Sequence, residues 1–423
     1  MNRFYFILFA VHILLAKSTG AHAQSQSKVI WKDDIEYCLT ELPKKHKDLF
    51  FRFPKEQFEA SLQNLKNLPD TMSDLCFALK LQQIIVKVGD AHTSVRYSDF
   101  LNREKFLPFS FVWLSDGLTI NSTTKQNSEI LGGKLKRING YPVEVIIDSL
   151  CTLFVVDNEA SKKTGIPSLL MFEELLDFFG FGNGSLPIVE VELEKGELKS
   201  IQLKRGKIDD DSIVEIKPEV KPFYRIGADL FFTEKYFSED SIYFIQYNRC
   251  WSRELETAYG DKGRAENMPS FVEFEQTVFK TFREKPIKKL IVDMRFNSGG
   301  SSLQGTDFIK QLSGYDFLDK RNMLYVVIGR RTFSSGILNV LDFKRLTKAI
   351  TIGEETAGRP NHFGEIKTFK LPSSQMKVSY STKYFKWTSE KENTIEPDVK
   401  CPVSFVDYKN GVDPVYEYVR KQK

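Results

Sequence analysis

Tyr325 to Gly358 reads YVVIGRRTFSSGILNVLDFKRLTKAITIGEETAG. Tyr325, Val326, Val327 and Ile328 form a short apolar run rich in β-branched side chains, which predicts a buried strand. Gly329 breaks the run. Ile337, Leu338 and Leu341 then recur at helical spacing, and Ala349 to Ile352 predicts a second buried strand ending at Gly353. The order is strand, turn, helix, strand, with Thr332, Phe333, Ser334 and Ser335 in the turn. Serine at such a place has two readings. It caps the helix by accepting a backbone N–H. Alternatively its hydroxyl sits where free N–H groups at the helix N-terminus favour developing negative charge, a good place for an acyl-transfer nucleophile. The motif is not G-x-S-x-G, so the α/β-hydrolase elbow is not supported.

Working outward, residues 241–423 alternate strand and helix patterns. Tyr243, Phe244 and Ile245 predict a strand; Phe271, Phe274, Val278 and Phe282 stripe a helix that Pro286 closes. Leu290-Ile291-Val292 predicts another buried strand, which runs into DMRFNSGG, Asp293 to Gly300. A helix carrying Phe308, Ile309 and Leu312 follows. This alternation argues a parallel or mixed sheet, with functional loops at the strand C-terminal ends. Gly299-Gly300 and Ser334 both fall at such ends. A glycine pair lets a backbone N–H approach a carbonyl oxygen closely, as an oxyanion hole requires. A phosphate loop is disfavoured because the GK[ST] ending is absent.

Residues 31–90 read helical. Ile35, Cys38, Leu39 and Leu42 form one stripe ended by Pro43; Phe58, Leu62 and Leu65 form a second. Thr71 with Asp74 resembles a capping box before Leu75, Leu79 and Ile84. The helical part ends in Gly89-Asp90-Ala91-His92-Thr93-Ser94-Val95. Residues 105–210 read mostly β, with alternating runs at Phe109–Val112, Leu118–Asn121, Val189–Leu193 and Ile201–Leu203, and an Asn139-Gly140 turn. Of five histidines, His12 and His22 fall in the leader and His46 in the basic run KKHKD, read as surface. A histidine base must then be His92 or His362.

The 423 residues suffice for two or three domains, and 41% apolar with 27% charged residues is ordinary globular composition. A net charge of +4 with mixed signs gives no nucleic-acid footprint. Residues 1–23 read as a secretory signal peptide: Arg3, the apolar run Phe4 to Leu15, then Ala21-His22-Ala23. No other segment is apolar enough to span a membrane, so the mature protein is expected to be exported, periplasmic or extracellular. Cys38, Cys76, Cys151, Cys250 and Cys401 are an odd number at wide spacing, which implies neither a zinc site nor a disulfide framework. Cys38 and Cys76 fall on apolar helix faces.

Four stretches, GDAHTSV (89–95), LGGKLKRINGYPV (131–143), DMRFNSGG (293–300) and TFSSG with GEETAG (332–358), occur in an order that resembles the C-terminal-processing (tail-specific) serine peptidase family. The resemblance covers nearly the whole mature chain. It implies an α+β multidomain fold: a signal peptide at 1–23, an N-terminal helical domain at 24–104, a PDZ-like β-rich domain at 105–215 and an α/β crotonase-like (ClpP/crotonase) peptidase core at 216–423. It implies Ser334 as nucleophile and backbone N–H groups of Ser335 and of Gly299 or Gly300 as oxyanion donors. Where the family's Ser–Lys branch carries lysine, this chain has Arg359, which stays protonated and cannot act as a base. The chain therefore resembles the tricorn-core-like branch, with His92 as base and Glu392 (or the nearby Glu390) as the acid. His362, with Glu365 as orienter, is the alternative base, and Arg359 is a candidate for binding a substrate carboxylate.

The expected function is that of an exported serine endopeptidase acting on peptide or protein through an acyl-enzyme, needing no metal or cofactor and binding no nucleic acid. The rivals are an inactive peptide- or lipid-binding module on the same fold, and an esterase.

Overall fold

The computed structural model describes residues 30–69, 72–204, 212–389 and 392–423. The expected signal peptide, Thr71 and Glu390 lie outside these residues. The architecture is mixed α+β, with a helical N-terminal part and three sheets among the described residues.

The N-terminal part contains α1 (Ile30–Lys45), α2 (Lys55–Leu65), α3 (Asp74–Ile85) and the short strand β1 (Ser94–Val95). Helix α1 runs two residues past Pro43. The cap of α3 is Ser73, which accepts the Cys76 N–H at 3.2 Å. The β-rich part follows: β2 (Phe109–Leu114), β3 (Gly117–Thr124), β4 (Lys134–Ile138), then helices α4 (Val143–Leu150) and α5 (Glu159–Leu169), then β5 (Ile188–Glu192) and β6 (Leu198–Gln202). These strands form an antiparallel sheet in the order β2-β3-β4-β5-β6. Asn139 and Gly140 turn at φ +50° and +81°, the left-handed pair that a tight hairpin needs. Helix α5 was not foreseen, because Gly165 and Pro167 hide it.

The C-terminal part is built on a six-stranded sheet: β7 (Phe232–Phe237), β8 (Ile242–Tyr247), β9 (Lys289–Asp293), β10 (Leu324–Ile328), β11 (Ile350–Gly353) and, after the hairpin described below, β14 (Val399–Lys400). Its order is β14-β11-β10-β9-β8-β7, parallel throughout except for the antiparallel edge strand β7. Every residue of β8, β9 and β10 is buried, which is why these strands read as continuous apolar runs rather than alternating ones. One face, with Tyr243, Ile245, Val292 and Val326, packs against α6 (Phe271–Glu284), α7 (Ser302–Leu312) and α8 (Ser335–Leu346). The other, with Phe244, Ile291, Tyr325 and Val327, takes Val415 and Val419 of α9 (Pro414–Lys421). Alternate strand residues serve the two layers, as the strand period of two demands.

The long hairpin of β12 (His362–Lys370) and β13 (Lys377–Phe385) leaves the core and joins the N-terminal part. Strand β13 pairs with β1 in the register Ser94↔Ser379 and Val95↔Val378. Val378 and Tyr380 are buried among Phe58, Phe77 and Leu81 of the N-terminal helices. This pairing ties the segment after His92 to the C-terminal part of the chain, which carries Ser334. All five cysteines are free.

Candidate active site

The turn between β10 and α8 is held by its own hydrogen bonds. Thr332 Oγ1 accepts the Gly329 N–H at 3.0 Å and donates to the Met294 carbonyl at 2.8 Å. The Phe333 N–H donates to the Asn297 carbonyl at 2.9 Å, tying this turn to the loop after β9. Ser334 is thereby fixed at φ +52° and ψ −127°, a region that costs a non-glycine residue about 1–3 kcal/mol. It occupies the N-cap position of α8, yet its side chain makes no capping hydrogen bond. The capping reading fails on that point. Its Oγ instead lies 3.2 Å from His92 Nε2, across 242 residues of chain.

His92 is 9% exposed, in the turn after α3. Asp90 builds that turn. Its Oδ1 accepts the His92 backbone N–H at 2.9 Å, and its Oδ2 accepts Thr93 Oγ1 at 2.5 Å. His46 Nε2 lies 3.1 Å from the same Oδ2. His46 Nδ1 accepts the Asp48 N–H at 3.0 Å, so Nε2 carries the proton that goes to Asp90. His46 is thus buried rather than part of a basic surface: its lysine neighbours take the solvent while the imidazole turns inward. Burial alone would raise the Asp90 carboxyl; the hydrogen bond from His46 and the close His92 imidazole outweigh it and hold the group well below the usual carboxylate range. For His92 Nε2 to accept the serine proton, Nδ1 must carry the ring's own. Nδ1 is 3.7 Å from Asp90 Oδ1, a charge contact longer than a hydrogen bond. The ring stacks on Phe333 with centroids 4.9 Å apart.

The glycine pair abuts the nucleophile. A Cβ on Gly299, whose φ is +97°, would meet Ser334 Cβ at 2.9 Å and the Ser335 nitrogen at 3.0 Å. One on Gly300, at φ +137°, would meet the Cys250 carbonyl oxygen at 2.2 Å. The Gly299 N–H donates to Asn297 Oδ1 at 2.9 Å, so its part is to allow close approach, and it is spent as an oxyanion donor. The N–H groups of Gly300 and Ser335 have no acceptor among the described residues. Ser335 Oγ donates to the Gly300 carbonyl at 2.7 Å and holds the two donor positions together. Asn297 Nδ2, in turn, donates to the Tyr247 carbonyl at 2.9 Å.

The other expected residues lie as follows. Glu392 is exposed, and among the described residues no hydrogen bond or ion pair joins it to His92; the carboxylate beside His92 belongs to Asp90. Two residues on from Glu392, Thr394 Oγ1 donates to the Thr356 carbonyl at 2.8 Å. His362 stacks over His92 with centroids 6.0 Å apart, and its Nδ1 donates to the Arg359 carbonyl at 2.9 Å, away from Ser334. Burial, with the His92 charge, pushes its imidazole down to about 4. Glu365 does not orient it, being exposed and 3.5 Å from Lys383. Arg359 Nε lies 2.5 Å from Asp157 Oδ1, so its charge is already matched. The N–H is not aligned for a hydrogen bond, and burial pushes the Asp157 carboxyl up, but opposite charges at contact distance make the ion pair the better description. Reading by residue type missed Asp90 and His46. The Gly89-Asp90-Ala91-His92 turn was signal enough for Asp90, whereas lysines on both sides of His46 concealed it.

Neither a family profile nor a curated protein sequence matches the chain. Solved structures do. CPAF bound to lactacystin superposes with a TM-score of 0.59 at 14% identity, covering 93% of this chain and 97% of that one. Mature CPAF gives 0.56 at 14% identity, over 93% and 96%. The chain has the fold of CPAF. A photosystem II D1 C-terminal processing protease also matches, at TM-score 0.38 and 12% identity, over 89% and 93%. No helix among the described residues is long and apolar enough to cross a membrane.

Proposed function

We propose that this protein is a serine peptidase of the C-terminal-processing kind, cleaving peptide bonds through an acyl-enzyme. The observation that carries the reading is an uncapped serine hydroxyl 3.2 Å from an imidazole nitrogen, beside two backbone N–H groups without acceptors among the described residues. Ser334 Oγ attacks the peptide carbonyl carbon and gives its proton to His92 Nε2. The carbonyl oxygen takes up the negative charge against the N–H groups of Gly300 and Ser335. His92 then passes the proton to the leaving amine, and water, deprotonated by the same nitrogen, releases the acyl group. Asp90 supplies the negative charge beside the imidazolium. The CPAF-like fold and the four sequence stretches point the same way. On this reading residues 105–215 are a PDZ-like domain, residues 216–423 a crotonase-like core, and the chain is exported after removal of residues 1–23.

The test is labelling by a fluorophosphonate probe. Wild type and His362→Ala are expected to label, and Ser334→Ala and His92→Ala are not, each checked for folding by circular dichroism. A folded wild type that stays unlabelled refutes the proposal; loss of labelling in His362→Ala transfers the base to that residue.

A further inference from the structure

Three successive loops leave the C-terminal ends of β8, β9 and β10, neighbours in the sheet. The middle one carries Phe296 to Gly300 and so the glycine pair. Arg249, on the loop after β8, donates through Nη1 to Ser298 Oγ. Arg331, on the loop after β10, places its guanidinium carbon 5.1 Å from the Phe296 ring centroid. The two arginines thus hold the middle loop from opposite sides, immediately before Gly299.

Neither guanidinium has a carboxylate within ion-pair distance among the described residues. That separates them from the other arginines near the site: Arg295 is paired with Asp293 and Asp413, Arg330 with Glu354 and Arg359 with Asp157. Both are partly buried. Burial and the charge of Arg249 lower the Arg331 guanidinium to about 10, which leaves it charged near neutrality, and the opposing carboxylate, Asp229, is exposed. Two mutually repelling, partly desolvated cations beside a reaction centre are costly unless an anion completes them. Each guanidinium has five N–H donors in a planar fork suited to carboxylate oxygens, and Ser298 occupies only one of those on Arg249.

We infer that Arg249 and Arg331, with the Ser298 loop between them, form a carboxylate-binding subsite that selects substrates bearing an acidic group close to the scissile bond. The inference rests on the peptidase reading for its role in catalysis, though not for its binding. The carboxylate has two sources, an aspartate or glutamate side chain or the substrate's free C-terminus.

The test uses quenched-fluorescent octapeptide pools, degenerate in uncharged residues, each carrying one Glu or one Gln at a defined position and made as free acid and as amide. Wild type is expected to show a kcat/KM about 10- to 100-fold higher for a pool with the carboxylate in register, the range for charged hydrogen bonds. A Glu-over-Gln preference identifies the side chain; an acid-over-amide preference identifies the C-terminus. Arg249→Gln and Arg331→Gln are each expected to bring the ratio towards one, and Arg331→Lys to keep part of it. Wild type that is labelled by fluorophosphonate and cleaves all pools alike overturns the subsite and leaves the peptidase reading standing. Failure of labelling removes the peptidase reading instead. Fluorescence anisotropy of the same peptides on Ser334→Ala then decides the subsite without turnover: tenfold tighter binding of the acidic twin, lost in the arginine variants, supports it, and equal binding overturns it.

Discussion

Replacing Asp90 by asparagine isolates a charge from a shape. The asparagine side-chain oxygen still accepts the His92 backbone N–H, a contact of 2.9 Å in the native turn, so the loop keeps its main internal bond. What is lost is the negative charge 3.7 Å from His92 Nδ1. At that separation, with an effective dielectric constant of about 20, the attraction to an imidazolium is about 4.5 kcal/mol. It acts only once His92 has taken the Ser334 proton, so it is felt in the transition state more than in the resting enzyme. The full value corresponds to about three powers of ten in rate. Because the contact is longer than a hydrogen bond, the expected loss is about 100- to 1000-fold. The assay is the second-order rate of fluorophosphonate labelling of Ser334 at pH 7.5, followed by intact mass. A melting curve controls for folding, since the new amide N–H₂ opposes the proton on His46 Nε2. A folded Asp90→Asn protein labelled within threefold of wild type would refute the electrostatic role.

Two further outcomes follow from the same contacts. His362 is held neutral, its imidazole pushed down to about 4 by burial and by the His92 charge, against about 6.5 when unfolded. The unfolded chain therefore binds the extra proton between those two values, so the stabilisation from this group is complete above pH 6.5 and is lost as pH falls towards 4; melting temperatures of wild type should fall across that window more steeply than those of His362→Gln, and parallel slopes would argue against it. Arg359→Ala leaves the buried Asp157 carboxylate with only Arg52, 3.9 Å away, and is expected to destabilise the protein by about 3 kcal/mol in urea unfolding, an effect that Asp157→Asn in the same chain should largely reverse.

Much of the C-terminal part could be read from residue patterns because its central strands are buried on both faces, and such strands write themselves as unbroken runs like Tyr325 to Ile328. The serine turn and the glycine pair were legible for a related reason. Both require small residues at strand ends, and few other arrangements place them there. Helix α5 was not legible, because its packing overrides the poor helical tendency of Gly165 and Pro167. The charge partner of His92 differs from expectation for another reason: Glu392 was implied by the resemblance alone, whereas the carboxylate beside the imidazole is Asp90, two residues before it in the same turn. His46 departs from expectation as well. A residue's neighbours in sequence say little about which way its side chain turns at the end of a helix. The spent N–H of Gly299 lay beyond sequence reading altogether, since it depends on where the Asn297 amide points.

The pairing of Ser94 and Val95 with Ser379 and Val378 has a consequence for the order of events during synthesis. The ribosome delivers His92 early, Ser334 much later, and the strand that clamps the His92 segment last of the three. A nascent chain that already exposes its serine has no partner strand to keep the imidazole in place. On the peptidase reading, hydrolytic competence therefore waits until the Lys377–Phe385 strand has been made and paired, by which point most of the chain is already folded around it.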